Sequence, residues 1–163
     1  MADAPRREPP EWGTDEHLRW ELDHLLHGPQ ANAVHVGVGP LPIYFRAARP
    51  QDVIERVRAV MVVAVRAMLE GWVPGEPKSF VPEGIPHWFR QACATPTEST
   101  EDRWALDEWL FWCDPDERQW FWWDACTTGP DTGEVLIETT GVPFPTVALR
   151  WSLRACGAEN VTC

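Results

Sequence analysis

Two carboxylates beside several tryptophans form the clearest set of side chains that could do chemistry in this sequence. Asp124 follows an aromatic run (QWFWWDAC), and Glu138 lies in the next apolar run (EVLIETT). Two carboxyl groups with different pKa values can hydrolyse a glycosidic bond, and an aromatic ring can bind the face of a sugar. Tryptophan and carboxylate together can also bind a cation. The predicted binding residues are Trp112, Trp120, Trp122, Asp124, Glu138, Arg150 and Arg154.

The competing interpretation of this set is packing. Tryptophan is a common packing residue of a sheet, and the two carboxylates could pair with Arg150 and Arg154 or contact water. No motif fixes the spacing of Asp124 and Glu138, so packing is favoured over a site. No residue is predicted to be catalytic, and enzymatic activity is the less favoured possibility.

A second group of titratable side chains lies at helical spacing near the N-terminus. His17, Glu21, His24 and His27 follow one another at intervals of four, three and three residues. Such spacing can bring metal ligands to one side of a helix, but no HExxH motif is present. A solvated helix face is therefore favoured, and neither a metal nor a cofactor is predicted.

Charge and motif content argue against several function classes. The formal net charge is −11, which disfavours nucleic acid or an anionic membrane as a partner. There is no GxSxG motif and no glycine-rich phosphate loop, so nucleophilic hydrolysis and nucleotide binding are unsupported. The longest apolar run, residues 59–67, is interrupted by Arg66 and is too short to span a bilayer.

The cysteine content and the N-terminal sequence predict a cytoplasmic location. The five cysteines are odd in number and lack CxxC spacing, which is typical of reduced thiols. The N-terminal residues are polar and rich in proline, without the apolar stretch of a secretory signal. The excess of arginine over lysine, with Lys78 as the one lysine, is typical of a high-GC bacterial genome.

The candidate site depends on a predicted three-stranded meander over residues 104–140. Its three aromatic or β-branched runs are separated by the turn-forming sequences DPDER and TTGPDTG. Turns near Asp116 and Pro130 would pair Trp123 with Ile137 and place the predicted carboxylates and tryptophans on one face.

That face assignment depends on the register of the strands. A one-residue shift in either turn would move every side chain to the opposite face. Residues 105–113 also fit a helical pattern, so a helix is the alternative to the first strand of the meander.

The rest of the chain predicts helices and a hairpin. Helices are expected at 14–27, from Pro50 to about residue 70, from Pro86 for a short stretch, and from 143 to 156. A hairpin is expected over residues 33–48.

These elements predict an α+β fold. An antiparallel sheet, formed by the N-terminal hairpin and the C-terminal tryptophan-rich meander, would be packed by about four helices. Residues 1–12 are expected to form a disordered tail. Residues 13–163, with 44% hydrophobic content in the whole chain, are expected to form a single domain with a proline-rich connector at 71–102.

The function predicted from the sequence is that of a small acidic cytoplasmic module that binds another, possibly basic, protein through an aromatic and acidic surface. Immunity proteins against toxins and chaperones or adaptors are of this general type, without a shared motif. The alternative is an enzyme, or a sugar- or cation-binding domain, whose tryptophan-walled pocket contains Asp124 and Glu138. A closed pocket would favour the alternative, and the oligomeric state is left open.

Overall fold

The protein combines one antiparallel sheet with helices, which confirms the predicted α+β class. The computed structural model describes residues 10–35, 37–95, 98–100, 103–141 and 143–163. Within these ranges the strands are β1 (Val38–Arg46), β2 (Trp120–Thr127), β3 (Thr132–Thr139) and β4 (Asn160–Thr162), in the sheet order β2-β3-β1-β4. The helices are α1 (Asp15–His27), α2 (Pro50–Leu69), α3 (His87–Ala92), α4 (Leu106–Phe111), α5 (Pro115–Arg118) and α6 (Val147–Ala155).

Helix α2 is the centre of the packing. It contacts α1, α6, β2 and β3. Its middle turns are apolar on nearly every side, so they can face the sheet and a second helix at once. Val57, Val60, Ala64 and Val65 have no exposed surface.

The hairpin of β2 and β3 confirms the last two strands of the predicted meander. Trp122 pairs with Ile137 and Ala125 pairs with Val135, with a bulge between Trp122 and Asp124. The predicted pairing of Trp123 with Ile137 is therefore wrong by one residue. The bulge inserts an extra residue into β2, which no turn position in the sequence reveals.

The first strand of the predicted meander is instead a helix. Helix α4 covers Leu106–Phe111, and α5 replaces the turn expected near Asp116. Trp109 and Leu110 are buried, as expected for neighbouring positions on the inner side of a short helix. The three-stranded meander is thus wrong, and the helical alternative for this segment is confirmed.

The third strand of the sheet comes from the N-terminal half of the chain. Strand β1 pairs with β3 along most of its length, so the expected hairpin over 33–48 is wrong. Phe45 lies opposite Gly133, and a Cβ atom at Gly133 would overlap the Phe45 ring. The short strand β4, which the sequence analysis missed, pairs only with residues 44–46. Pro40 and Pro42 lie on the uncovered part of that edge, where their missing N–H groups discourage pairing with another strand.

The sheet has a buried inner face and a partly open outer face. Alternation along β1 and β3 turns one set of side chains inward and the next set outward. Tyr44, opposite Glu134 on the outer face, is 48% exposed. The buried inner set includes Ile43, Phe45, Trp122, Val135 and Ile137.

The segment before α1 is part of the packing. Trp12, which the sequence assigned to a tail, donates from its indole N–H to the carbonyl of Pro115 at 3.3 Å. Its ring centroid lies 4.7 Å from that of His17. Residues 1–9 of the predicted tail lie outside the described residues.

We expect Trp122→Ala to lower the free energy of unfolding by about 3–5 kcal/mol, because it leaves a large cavity in the core. Trp122 has no exposed surface, and the Arg58 guanidinium lies 5.8 Å from its ring. Urea unfolding followed by circular dichroism measures the change. The control Tyr44→Ala removes a half-exposed ring and should cost less than about 1 kcal/mol. Equal losses in the two variants would contradict the packing role of Trp122.

Candidate functional site

The three tryptophans of the predicted site lie in or at the margin of the core. Trp120 is 2% exposed and Trp122 has no exposed surface, so neither ring can be reached from solvent. Trp112 is half-buried, and its ring lies 6.2 Å from that of Trp104. Trp112 and Trp120 line an internal cavity of about 10 Å³, which is far too small for a sugar.

Asp124 is held by an arginine that the sequence analysis did not name. Its carboxylate lies 3.2 Å from the Nη2 of Arg58, and it accepts from the N–H of Ala125 at 2.8 Å. Arg58 also donates to the carbonyl of Ala125 at 3.2 Å. The pair therefore fixes α2 to β2, because one guanidinium binds both a side chain and the backbone of the strand.

Glu138 is fully buried and bound by the segment that precedes β1. Its carboxylate accepts from the N–H of Gly37 at 3.2 Å and is hydrogen-bonded to the Nδ1 of His35. The His35 ring stacks on Trp123 with 4.6 Å between the centroids. These contacts supply the partners that a buried carboxylate needs, and they hold this segment against the sheet.

Arg150 and Arg154 lie on α6, and neither forms an ion pair with Asp124 or Glu138. Arg150 donates to the carbonyl of Val161 at 3.4 Å and so links α6 to β4, while Arg154 is exposed. The seven predicted residues are therefore not brought together around one open pocket. Asp124 and Glu138 each have their own partners, on different segments of the chain.

The helix face that the sequence assigned to solvent is buried. His17, Glu21 and His24 are 1%, 0% and 3% exposed, and His27 alone of the four remains exposed. The expected solvated face is therefore wrong for three of its four residues.

This buried face covers the open edge of β2. The Glu21 carboxylate accepts from the N–H of Trp122 at 2.9 Å, and the Nδ1 of His24 is hydrogen-bonded to the carbonyl of Trp123 at 3.0 Å. The two side chains thus satisfy backbone groups that a further strand would otherwise bind.

Glu21 also forms a buried ion pair with Arg118. The two terminal nitrogens of the Arg118 guanidinium donate to the two carboxylate oxygens of Glu21, and its Nε donates to the carbonyl of Cys113 at 3.0 Å. Arg118 is 1% exposed, and its guanidinium lies 5.0 Å from the Trp120 ring. The pair joins α1, α5 and β2 at one point.

Burial lowers the pKa of both histidines in this cluster. For His17, removal from water has the largest effect on the pKa, which nearby Glu21 partly offsets. For His24, removal from water again has the largest effect, and the hydrogen bond to Trp123 opposes it. The Nδ1 of His17 accepts from the N–H of Gly13 at 3.0 Å, which requires the neutral ring.

Three of the five cysteine thiols are poorly suited to nucleophilic chemistry. Burial raises the pKa of Cys113 and Cys156 to about 12 and that of Cys93 to about 11. A thiol must ionise to act as a nucleophile or a strong metal ligand, so these groups behave as apolar side chains. Within the described residues, no group of three or more His, Cys, Asp or Glu side chains could hold a metal ion.

A large open groove lies at the C-terminal end of α2. It runs between residues 63–70, which comprise the last two turns of α2 and the capping residue Glu70, and residues 71–84 of the proline-rich connector. Its volume is about 1220 Å³. We call it the connector groove. The connector is folded back by two turns. The N–H of Glu76 donates to the carbonyl of Val73 at 2.9 Å, and the N–H of Phe80 donates to the carbonyl of Pro77 at 2.9 Å.

Three of the seven large apolar side chains that are exposed in the described residues lie in or beside the connector groove. Val73 is 52% exposed and Phe80 is 44% exposed, and both line the groove. The Phe80 ring lies 6.3 Å from that of Trp72 at a tilt of 40°. Phe111, 41% exposed, lies under Gly75, where an added Cβ would come within 3.0 Å of its ring. Such clustering marks an interaction surface more often than scattered exposed residues do.

Acidic side chains also line the connector groove. Glu70, Glu76 and Glu83 line the groove, together with Arg66. Within the part of the chain that the structure describes, none of the three glutamates has an ion pair or a side-chain hydrogen bond. The groove therefore combines an apolar lining with unpaired negative charge.

The sequence analysis named no residue of this groove as a binding residue. The sequence predicts a connector at 71–102 because five prolines break this stretch and leave room only for the short helix from Pro86. The available signal was the presence of Trp72 and Phe80 among prolines and glutamates, since large apolar side chains are unusual in a simple solvated loop.

Comparison with known proteins found no matching family model, curated protein or solved structure. Within the described residues, no helix is both long enough and apolar enough to cross a membrane.

We expect Arg118→Met to lower the free energy of unfolding by about 3–5 kcal/mol, because it leaves the Glu21 carboxylate buried without its cation. The double variant Arg118→Met with Glu21→Gln should be more stable than Arg118→Met alone. The side-chain amide oxygen that Glu21→Gln introduces can still accept from the N–H of Trp122, and no buried charge remains. Urea unfolding of the wild type, both single variants and the double variant tests this coupling. Additive losses would contradict the ion pair.

We expect stability to fall as the pH falls below about 6.5. Burial lowers the folded-state pKa of His17 and His24, so the unfolded chain binds protons first as the solution is acidified. The stability that depends on the two neutral histidines is thus fully present above their pKa in the unfolded chain, and it is lost as the pH falls below that value. Urea unfolding midpoints across that range measure the effect.

The urea unfolding midpoint of the double variant His17→Gln, His24→Gln should depend less on pH over the same range. His27→Gln, at an exposed position of the same helix, is the matched control and should leave the pH dependence unchanged. A wild-type midpoint that does not fall on acidification would contradict the role of the two buried histidines.

Proposed function

We propose that this protein is a small acidic module that binds another protein through the connector groove. The observation that carries the proposal is an open apolar groove bordered by three unpaired carboxylates. A cytoplasmic location fits the five cysteines, which are all free thiols. Within this class, an immunity-type protein or a chaperone or adaptor remains the proposed role.

The apolar part of the groove can supply the binding free energy. Val73 and Phe80 are about half exposed in the free protein, so a partner that covers them removes apolar surface from water. Aromatic side chains near the centre of an interface contribute most of its affinity in many complexes. Trp72 and Phe80 are the aromatic residues placed for that role.

The charged part of the groove favours a basic partner. Glu70, Glu76 and Glu83 give the groove three negative side chains against one positive side chain, Arg66. The whole chain carries a formal charge of −11, which attracts a basic protein and repels nucleic acid.

The alternative of an enzyme, or of a sugar- or cation-binding domain centred on Asp124 and Glu138, has less support. Asp124 is paired with Arg58, and Glu138 is buried beneath His35. Neither carboxylate lines the connector groove or the small internal cavity.

A photo-reactive benzoylphenylalanine placed at Phe80 tests the proposed surface. In cells that make the protein, we expect irradiation to join it covalently to one specific protein, identified by mass spectrometry. That protein, purified separately, should then bind the wild type, and Phe80→Ala should weaken the dissociation constant by roughly tenfold or more.

The same photo-reactive residue at Tyr44 is the matched control. Tyr44 and Phe80 have similar exposure, 48% and 44%, but Tyr44 lies on the outer face of the sheet. The same adduct from Tyr44 and Phe80, or no binding by the purified candidate, would contradict the proposed surface.

A further inference from the structure

We infer that the connector groove takes a linear segment of its partner in which a lysine or arginine lies next to a bulky apolar residue. This inference rests on the proposed function and names the chemistry of the occupant. It follows from the shape of the groove, from the placement of its carboxylates and from the helix end that borders it.

The shape of the groove fits a single stretch of polypeptide. One wall is formed by Val63, Arg66 and Ala67 on one side of α2 and by Glu70, which caps the C-terminal end of this helix. Seven residues of helix rise by about 10 Å, so this wall is about as long as three extended residues. The other wall is the folded connector, residues 71–84. A concave site of this kind is filled by a protruding segment and not by a flat folded surface.

The carboxylates are distributed on both walls. Glu70 directly follows the last residue of α2, whereas Glu76 and Glu83 belong to the connector. A cationic side chain lying in the groove would therefore meet negative charge from two directions. Lysine and arginine are the side chains that carry such a charge at the end of a long apolar stem.

The end of α2 adds to this preference. Its last residue is Leu69, so the negative end of the helix dipole lies at the groove, and this end favours a cation. The Trp72 ring lines the same site, and an indole ring also attracts a cation placed over its face. The charge, the dipole and the ring all select the same class of side chain.

The apolar lining selects the neighbouring residue. Val73, Phe80 and Val81 line the groove, and the first two are about half exposed. A bulky aliphatic or aromatic side chain next to the cation would cover them. A uniformly cationic segment would leave this surface in water and lose that contribution.

Selection from a library of short random peptides displayed on phage tests the inference. The wild-type protein is the bait, and Phe80→Ala is used to remove peptides that bind elsewhere. We expect the enriched peptides to contain a lysine or arginine next to a bulky apolar residue. Enrichment of apolar peptides without a basic residue would overturn the inference.

A synthetic peptide from that selection then tests the carboxylates. The triple variant Glu70→Gln, Glu76→Gln, Glu83→Gln should bind it roughly tenfold more weakly than the wild type, because the cationic side chain loses the three exposed carboxylates that attract it. The matched control is Glu16→Gln, Glu117→Gln, Glu159→Gln, which makes the same change of charge at exposed positions outside the groove. Its affinity should stay within about twofold of the wild type. Equal losses in both triple variants would overturn the inference.

The two proposals can fail separately. If the library yields no binder but cross-linking from Phe80 identifies a partner that binds in purified form, the linear segment is wrong and the proposed function stands. If neither experiment gives a groove-dependent partner, both proposals fall.

Discussion

The buried ion pair between Glu21 and Arg118 is the interaction on which the arrangement of the other elements depends. Two charges removed from water are stable only when each has partners, and here Cys113 and Trp122 supply the remaining hydrogen bonds from the backbone. This requirement fixes both α1 and α5 beside β2. His24 on α1 is hydrogen-bonded to the carbonyl of Trp123 in β2. The β2 edge of the sheet is therefore covered without a further strand.

The proposed binding surface lies apart from this buried cluster. Helix α2 connects the two, since its middle turns form the centre of the core and its last two turns form a wall of the connector groove. Core stability and surface recognition are therefore assigned to different side chains. Val73 and Phe80 contribute exposed apolar surface, whereas Glu21 and Arg118 contribute almost none. Substitutions in the groove can thus change binding without disturbing the ion pair.

Local patterns in the sequence predicted the elements that depend on neighbouring residues. Thr14 caps α1, and its hydroxyl accepts from the N–H of His17 as a helix start requires. The hairpin of β2 and β3 follows from two β-branched or aromatic runs around a turn. The pairing of β1 with β3 was not predictable in this way, because more than eighty residues separate the two strands and no local pattern records their contact. No local pattern in the sequence records the bulge at Trp123 either.

The sequence by itself determined the α+β class, the principal helices, the acidic charge and the abundance of tryptophan. Only the tertiary structure decided which of the charged and aromatic residues are accessible. It placed Trp120 and Trp122 in the core, bound Asp124 to Arg58, and buried the polar side of α1 that the sequence assigned to water. The physical reason is that a buried carboxylate and an exposed one look the same in a sequence. Their difference depends on partners brought from distant segments, as Arg118 is brought to Glu21.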